Sequence, residues 1–209
     1  MFFVAFVVKY NPMAKLPREF YAQNDTLQLA RDLLGTRLVA PTPEGVRVSG
    51  YIVELEAYLG PADRASHAWN GRRTARTEIM YGPAGAVYVF FIYGMYYQFN
   101  VVTGPPDTPH AILIRALEPD EGGEIMQERR PRQPLKNWTS GPGKLCLALG
   151  LDRSHNGADL GGERVWLEQG RAVTPAEIAA GPRIGIDYAG DFVDKPWRFW
   201  LRGNKFVSR

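Results

Sequence analysis

The sequence predicts an α+β fold: a single mixed domain in which antiparallel strands are surrounded by helices. Three observations predict it. Strand-like and helix-like segments follow one another without regular alternation, which excludes a doubly wound parallel sheet. At 209 residues the chain is long enough for one well-buried core and short for two, and no repeat, long linker or low-complexity stretch divides it. An apolar share of 45%, with turn signals throughout, marks a globular and not a disordered chain.

The elements follow in order. The apolar run Phe2 to Val8 is too short to span a bilayer, and it lacks the basic lead and small-residue cleavage site of a secretion signal. Residues 1–12 are read as an extension, either an edge strand or a segment ahead of a true start at Met13, and 13–209 as the domain proper. "NDTLQLARDLLG" is a helix, with Asp25 as N-cap, Gln28 three residues on, a stripe of Leu27, Ala30, Leu33 and Leu34, and Gly35 as the stop. "TRLVA" and "VRVSGYIVELEAY" are strands, "AVYVFFIYGMYYQFNVVTG" is a hairpin turning at Tyr93-Gly94, and "HAILIRALEP" is a strand ending at Pro119. "EGGEIMQERR" is a short helix ahead of Pro131, and "SGPGKLCLALG" is a helix opening on Ser140 and closing at Gly150. "TPAEIAAG" carries a full helix-start signal in Thr174, Pro175 and Glu177, with Gly181 as the stop; "KPWRFWLRG" is the last strand.

A single cysteine, Cys146, excludes an internal disulfide framework, and three scattered histidines have no metal-ligand spacing. The composition therefore predicts a reduced, cytoplasmic protein with no metal, no cofactor and no membrane segment. Net charge is only +3, but arginines cluster in "GRRTAR" (Arg72, Arg73, Arg76), in "ERRPRQPLK" and in the tail "WRFWLRGNKFVSR". Guanidinium forks match phosphate oxygens, so three such clusters point to an anionic polymer, whereas any one alone reads as solvated surface. "SGPGKLC" offers exposed backbone N–H groups and Lys144 for a phosphate, without the spacing of a nucleotide-hydrolysing loop.

Two stretches carry chemistry. In "VELEAYLGPADRASHAW" the alternation of a strand puts Tyr51, Val53, Leu55 and Ala57 on one face and Ile52, Glu54, Glu56 and Tyr58 on the other. Such a polar face is either the wet side of an antiparallel strand or the floor of a site. The hairpin packs seven aromatics into the twelve residues 88–99. Most read as core, but Tyr93 at the turn has little of its own hairpin to pack against, and a projecting ring can stack on a base or wedge into a duplex.

"VELEAYLGPADRASH", "YVFFIYGMYYQFN", "ILIRALEP", "SGPGKLC" and "RIGIDYAGDFVDKPWRFWLRG" together closely resemble the alkyladenine (methylpurine) DNA glycosylases, in order from about Leu16 to the C-terminus. The resemblance implies a curved sheet with a protruding hairpin that enters the minor groove, and an enzyme of base excision repair. Such an enzyme acts on double-stranded DNA as a monomer, flips a damaged (alkylated or deaminated) purine into a pocket and hydrolyses its N-glycosidic bond, leaving an abasic site. It implies Glu56 as the base that activates water, with Arg115 and the main-chain carbonyl of Ile184 helping to hold that water. Tyr58, His67 and Phe90 would enclose the flipped base, and the Asn100 amide would clash with the exocyclic amino group of normal guanine. Tyr93 would intercalate, with Met80 near the opposite strand, and Arg72, Arg76 and Lys144 would meet the DNA backbone. The family usually has tyrosine where this chain has Phe90.

The chemistry of the residues agrees with that assignment. An N-alkylated purine is already cationic and leaves without a general acid, so one carboxylate suffices to stabilise the oxocarbenium-like transition state and deprotonate water. Aromatic walls favour a cationic base. Two other classes stay open on the sequence: a non-catalytic nucleic-acid-binding module using the aromatic hairpin, and a carbohydrate hydrolase using Glu54 with Glu56. The latter two are about 7 Å apart at i, i+2 on one strand, too adjacent to flank a sugar ring well.

Overall fold

The computed structural model describes residues 13–208; the extension 1–12, read above as an edge strand or an added segment, lies outside the described residues. Among the described residues four helices, α1 (Arg18–Tyr21), α2 (Thr26–Asp32), α3 (Gly123–Arg129) and α4 (Pro142–Leu149), accompany eight strands. These are β1 (Arg37–Val39), β2 (Ser49–Tyr58), β3 (Val87–Ile92), β4 (Tyr96–Thr103), β5 (His110–Pro119), β6 (Trp166–Glu168), β7 (Ile178–Gly181) and β8 (Arg198–Leu201). All strand pairs are antiparallel, and the order is β3-β4-β5-β2-β1-β6. On the side of β2 away from β5, β1 pairs with its first half and β8 with its second, and β7 lies outside β8. The forked, curled sheet with its few helices makes a single α+β domain.

Strand β2 is the hinge of this arrangement. Between the pairs Ile52–Leu117 and Glu54–Ala116 it carries one extra residue, Val53, and between Glu54–Ala116 and Leu55–Ile114 strand β5 carries one in return, Arg115. Two compensating bulges re-aim side chains locally while the register recovers beyond them. Leu55, Ile112, Ile114, Phe99 and Phe199 fill the core beneath, together with Leu29 and Leu33 from around α2. The Asp25 carboxylate caps α2 by accepting the Gln28 N–H at 2.9 Å.

Three expectations change, and one strand was not foreseen. The wet-face reading of β2 fails: Ile52, Glu54 and Glu56 are fully buried, so the strand is covered on both faces. Ser140 is not the cap of α4, because it is held extended by a bridge to Ala116 of β5, and Gly141 takes the cap position. "TPAEIAAG" is not a helix. Its capping box exists, with Glu177 accepting both the Thr174 N–H and hydroxyl, but it closes a single 3₁₀ turn at Pro175–Glu177. Ile178–Gly181 then pairs with β8, where sheet hydrogen bonds and burial of Ala179 outcompete one more helical turn. Strand β6 had no alternation long enough to read. It is held by a buried Arg37–Glu168 pair (2.6 Å) that also draws in Arg47 (2.9 Å).

Candidate active site

The polar face of β2 forms the floor of a cavity of about 110 Å³, of the same order as the ~150 Å³ voids that admit a benzene ring. Its walls come from β3, β4, β5, the loop after β2 and the loop after β7. It gathers Glu56, Tyr58, His67, Met80, Phe90, Tyr93, Asn100, Arg115 and Ile184, nine of the residues singled out in the sequence. The space suits one flat ring system.

The two glutamates of the floor are treated differently. Glu54 is saturated: its carboxylate accepts from Arg115 Nε (3.0 Å), Arg198 Nη1 (3.1 Å), and the Ser208 N–H (2.6 Å) and hydroxyl (2.8 Å). That leaves no second free carboxylate for a carbohydrate-hydrolase arrangement. Glu56 faces the cavity. Its Oε1 accepts the Ile184 N–H at 2.8 Å and lies 3.2 Å from Arg115 Nη1, and its Oε2 accepts the Tyr58 hydroxyl at 2.8 Å. Burial, the largest influence, holds the Glu56 carboxyl above its ordinary value, against the opposing pull of Arg115, the Ile184 N–H and Tyr58. The contact made by Ile184 is through its amide; the resemblance stressed its carbonyl.

The walls are aromatic. His67 meets Phe90 edge-on, with centroids 4.6 Å apart, and its Nδ1 shares a 2.9 Å hydrogen bond with the Tyr88 hydroxyl. Burial, then the nearby Arg76 and Arg72, push the imidazole down to about 4, so His67 is neutral at pH 7. Asn100 is buried, with its amide nitrogen donating to the Tyr88 (3.0 Å) and Gln98 (3.3 Å) carbonyls. That fixes the amide against β3 and leaves its oxygen as the acceptor at the cavity wall.

At the rim stands Tyr93, 76% exposed, in the turn closed by the Met95 N–H to the Ile92 carbonyl. Its φ is +54°, a left-handed conformation unusual for a bulky residue. The expected role of Met80 needs correction. At 2% exposure it is packed among Ala68, Tyr81, Tyr88 and Val102 in the wall and cannot project into a duplex. The exposed methionine beside Tyr93 is Met95.

Arg72 and Arg76 are exposed and line a second groove that adjoins the cavity, and Arg76 also stands over the Phe90 ring, 5.1 Å from its centroid. Arg73 of the same cluster is tied to Glu78 (2.6 Å) and Asp107 (2.8 Å). Arg198 of the tail is spent on Glu54. Lys144 lines neither space; it lies in the first turn of α4, where a Cβ on Gly143 would meet the Tyr96 ring at 2.7 Å.

Sequence reasoning missed one pair that ties two loops of the site together. Arg183, beside Ile184, makes a fully buried ion pair with Asp63 (2.5 Å, with a second bond of 2.8 Å), and also donates to the Ala57 carbonyl at 3.0 Å. Asp63 in turn accepts the Leu59 and Ala65 N–H groups. The guanidinium stacks against Tyr58 at 4.7 Å and Trp197 at 4.9 Å. Loops 120 residues apart are thereby clamped around the cavity. Both residues lie inside the quoted motifs, but no local spacing betrays so distant a partnership.

The fold thus encloses a cavity lined by a buried carboxylate and aromatic rings, of a size that admits a flat ring. The family model described as "Methylpurine-DNA glycosylase (MPG)" matches residues 19–205. Proteins named "Putative 3-methyladenine DNA glycosylase" from Bacillus licheniformis and Bacillus subtilis are each 50% identical over 194 residues, covering 93% of this chain and 96% of theirs. One of the same name from Clostridium acetobutylicum is 49% identical over 202 residues, covering 93% and 97%. The chain belongs to the methylpurine-DNA glycosylase family: it is a DNA glycosylase, a hydrolase of N-glycosyl bonds in base excision repair.

Replacing Arg183 by methionine strands Asp63 as a buried charge, a change that costs about 3–5 kcal/mol. Denaturant unfolding measures it; a loss within experimental error would mean that the two loops are held by other contacts.

Proposed function

We propose that the protein flips an alkylated or deaminated purine out of duplex DNA into the cavity, and that Glu56 activates a water molecule for attack at C1′, leaving an abasic site. The observation that carries the reading is the state of Glu56: buried at the floor of the cavity, hydrogen-bonded on both oxygens, yet without the saturation of Glu54. As the glycosidic bond lengthens, positive charge grows on the sugar. A carboxylate held in a site of low polarity stabilises that charge more strongly than it would in water, and it takes the proton of the incoming water. Arg115 holds the carboxylate in place through its bridge to Glu54. An N-methylated purine carries its own positive charge, so the rings of Tyr58 and Phe90 attract it and it departs as a neutral base.

The same reading gives Tyr93 its purpose. A bulky residue in the left-handed region costs about 1–2 kcal/mol relative to glycine, and the ring gains no burial in return. Strain without packing is reasonable if the ring fills the space vacated by the flipped nucleotide. Arg72 and Arg76 would hold the flanking phosphates and Lys144 a phosphate beside the hairpin. One chain supplies every residue of the cavity and the hairpin, so the enzyme acts as a monomer, a single glycosylase domain over 13–209, in the bacterial cytoplasm on the nucleoid DNA. Among the described residues no helix is long and apolar enough to cross a membrane.

Glu56→Gln keeps the shape of the side chain without its basicity and should slow single-turnover base release by about 10²–10⁴-fold while lesion-duplex binding persists. A near-normal rate would move the catalytic role to another group.

Because its ionised form is the active one, the acid limb of kcat/KM on a permanently cationic methylpurine should lie above 4.5, the ordinary value for a glutamate. The Tyr58 hydroxyl favours ionised Glu56, so Tyr58→Phe should move that limb to higher pH. A limb that stays put or moves down would separate Tyr58 from the ionisation of Glu56.

Tyr93→Ser should slow excision from intact duplex by about 5- to 150-fold, the value of one stacking contact. A lesion opposite a gap should lose less, and the melting temperature should hold. Equal losses on both substrates would make the ring a packing residue.

Arg72→Ala and Arg76→Ala should each flatten the slope of log K against log salt for undamaged duplex by about one unit. Unchanged slopes in both would leave them ordinary surface residues.

A further inference from the structure

Beside the base cavity lies a larger groove of about 450 Å³, which shares with it Ala65, Ser66, His67 and Tyr188. It combines two exposed aromatic rings, Trp69 (46% exposed) and Tyr188 (63%), with Arg64, Arg72 and Arg76. The indole is half exposed, with the Arg64 guanidinium over it, 5.6 Å from its centroid. It is presented by a tight turn in which Asn70 (φ +57°) and Gly71 (φ +72°) both take left-handed conformations. None of the three arginines has a carboxylate partner among the described residues, whereas Arg73, their neighbour, has two. Aromatic rings interleaved with cations that no carboxylate neutralises match the chemistry of single-stranded nucleic acid, where phosphates seek the cations and every unpaired base offers a face to stack.

We propose that this groove binds the nucleotide next to the lesion when that nucleotide is unpaired, with its base stacked on Trp69, so that the enzyme engages damaged single-stranded and gapped DNA through a stacking contact that intact duplex does not make. The inference rests on the preceding reading of the cavity as the place of the flipped base. Arg76 lines the groove and also stands over Phe90 of the cavity wall, so it meets the phosphodiester linking a nucleotide in the cavity to its neighbour in the groove. In intact duplex the neighbouring base stays paired and stacked and cannot reach the indole. In single-stranded DNA nothing holds it back, and stacking on the indole replaces the stacking lost.

The test compares the full-length protein with Trp69→Ala and Trp69→Phe in two assays. The first is anisotropy with a short fluorescein-labelled oligothymidine, which carries no lesion and needs no catalysis. The second is single-turnover base release from a methylpurine in intact duplex. Trp69→Ala should bind the oligothymidine about 5- to 150-fold more weakly, the range for one base–aromatic contact, while Trp69→Phe retains most of the affinity and duplex excision is unchanged in both variants. Equal oligothymidine affinity in wild type and Trp69→Ala would overturn the proposal. So would parallel losses in both assays, or a fall in melting temperature, since these would make the indole a support of the loop. Absence of base release by the wild-type protein would instead remove the reading of the cavity, and the binding assay reads the groove separately.

Discussion

Two carboxylates buried side by side on one strand are the constraint around which the molecule is organised. Removing each charged group from water costs several kcal/mol, and two like charges at i, i+2 add their repulsion. The fold answers with Arg115, placed by a bulge in β5 so that it reaches both glutamates. The rest of the compensation is unequal. Arg198 and Ser208, brought from the C-terminal end of the chain, complete the shell of Glu54, whereas Glu56 has only Tyr58 and the Ile184 amide besides the arginine. One carboxylate is saturated, and the other lines the cavity with its affinity for a proton raised by burial.

The cavity depends on a second buried charge pair for its shape. Arg183 and Asp63 join the loop after β2 to the loop after β7, and through them Tyr58, His67 and Ile184 keep their places around Glu56. Buried pairs of this kind add little net stability over apolar packing, but they are directional and fix one arrangement among many. The rim follows the opposite principle: at the tip of β3–β4 the strained, exposed Tyr93 and the exposed Met95 meet solvent. The floor is thus buried and cross-linked by charge pairs, and the rim leaves apolar surface to solvent.

Most of the secondary structure was legible because its signals are local. The cap at Asp25, the long alternation of β2 to β5 and the turn at Tyr93-Gly94 are set by residues within a few positions of one another. The failures share one cause. The helix-start signal at Thr174 is real, but Ile178–Gly181 is claimed by β8, about twenty residues downstream, and Ser140 is claimed by Ala116 of β5. Local preference amounts to fractions of a kcal/mol per residue, and sheet pairing overrides it.

The site divides along the same line. By itself the sequence determined the parts: a polar strand face with Glu54 and Glu56, an aromatic hairpin turning at Tyr93, a cluster of arginines, and motifs whose resemblance named the family. Residue type and short-range spacing are enough for that. Only the tertiary structure decided how each part is placed. It left Glu56 facing the cavity while saturating Glu54, buried Met80 in the wall, tied Arg73 to two carboxylates while leaving Arg72 and Arg76 without one among the described residues, and joined Asp63 to Arg183 across 120 residues. Burial, hydrogen-bond saturation and charge pairing depend on which distant segments meet, and no short stretch of chain carries that information.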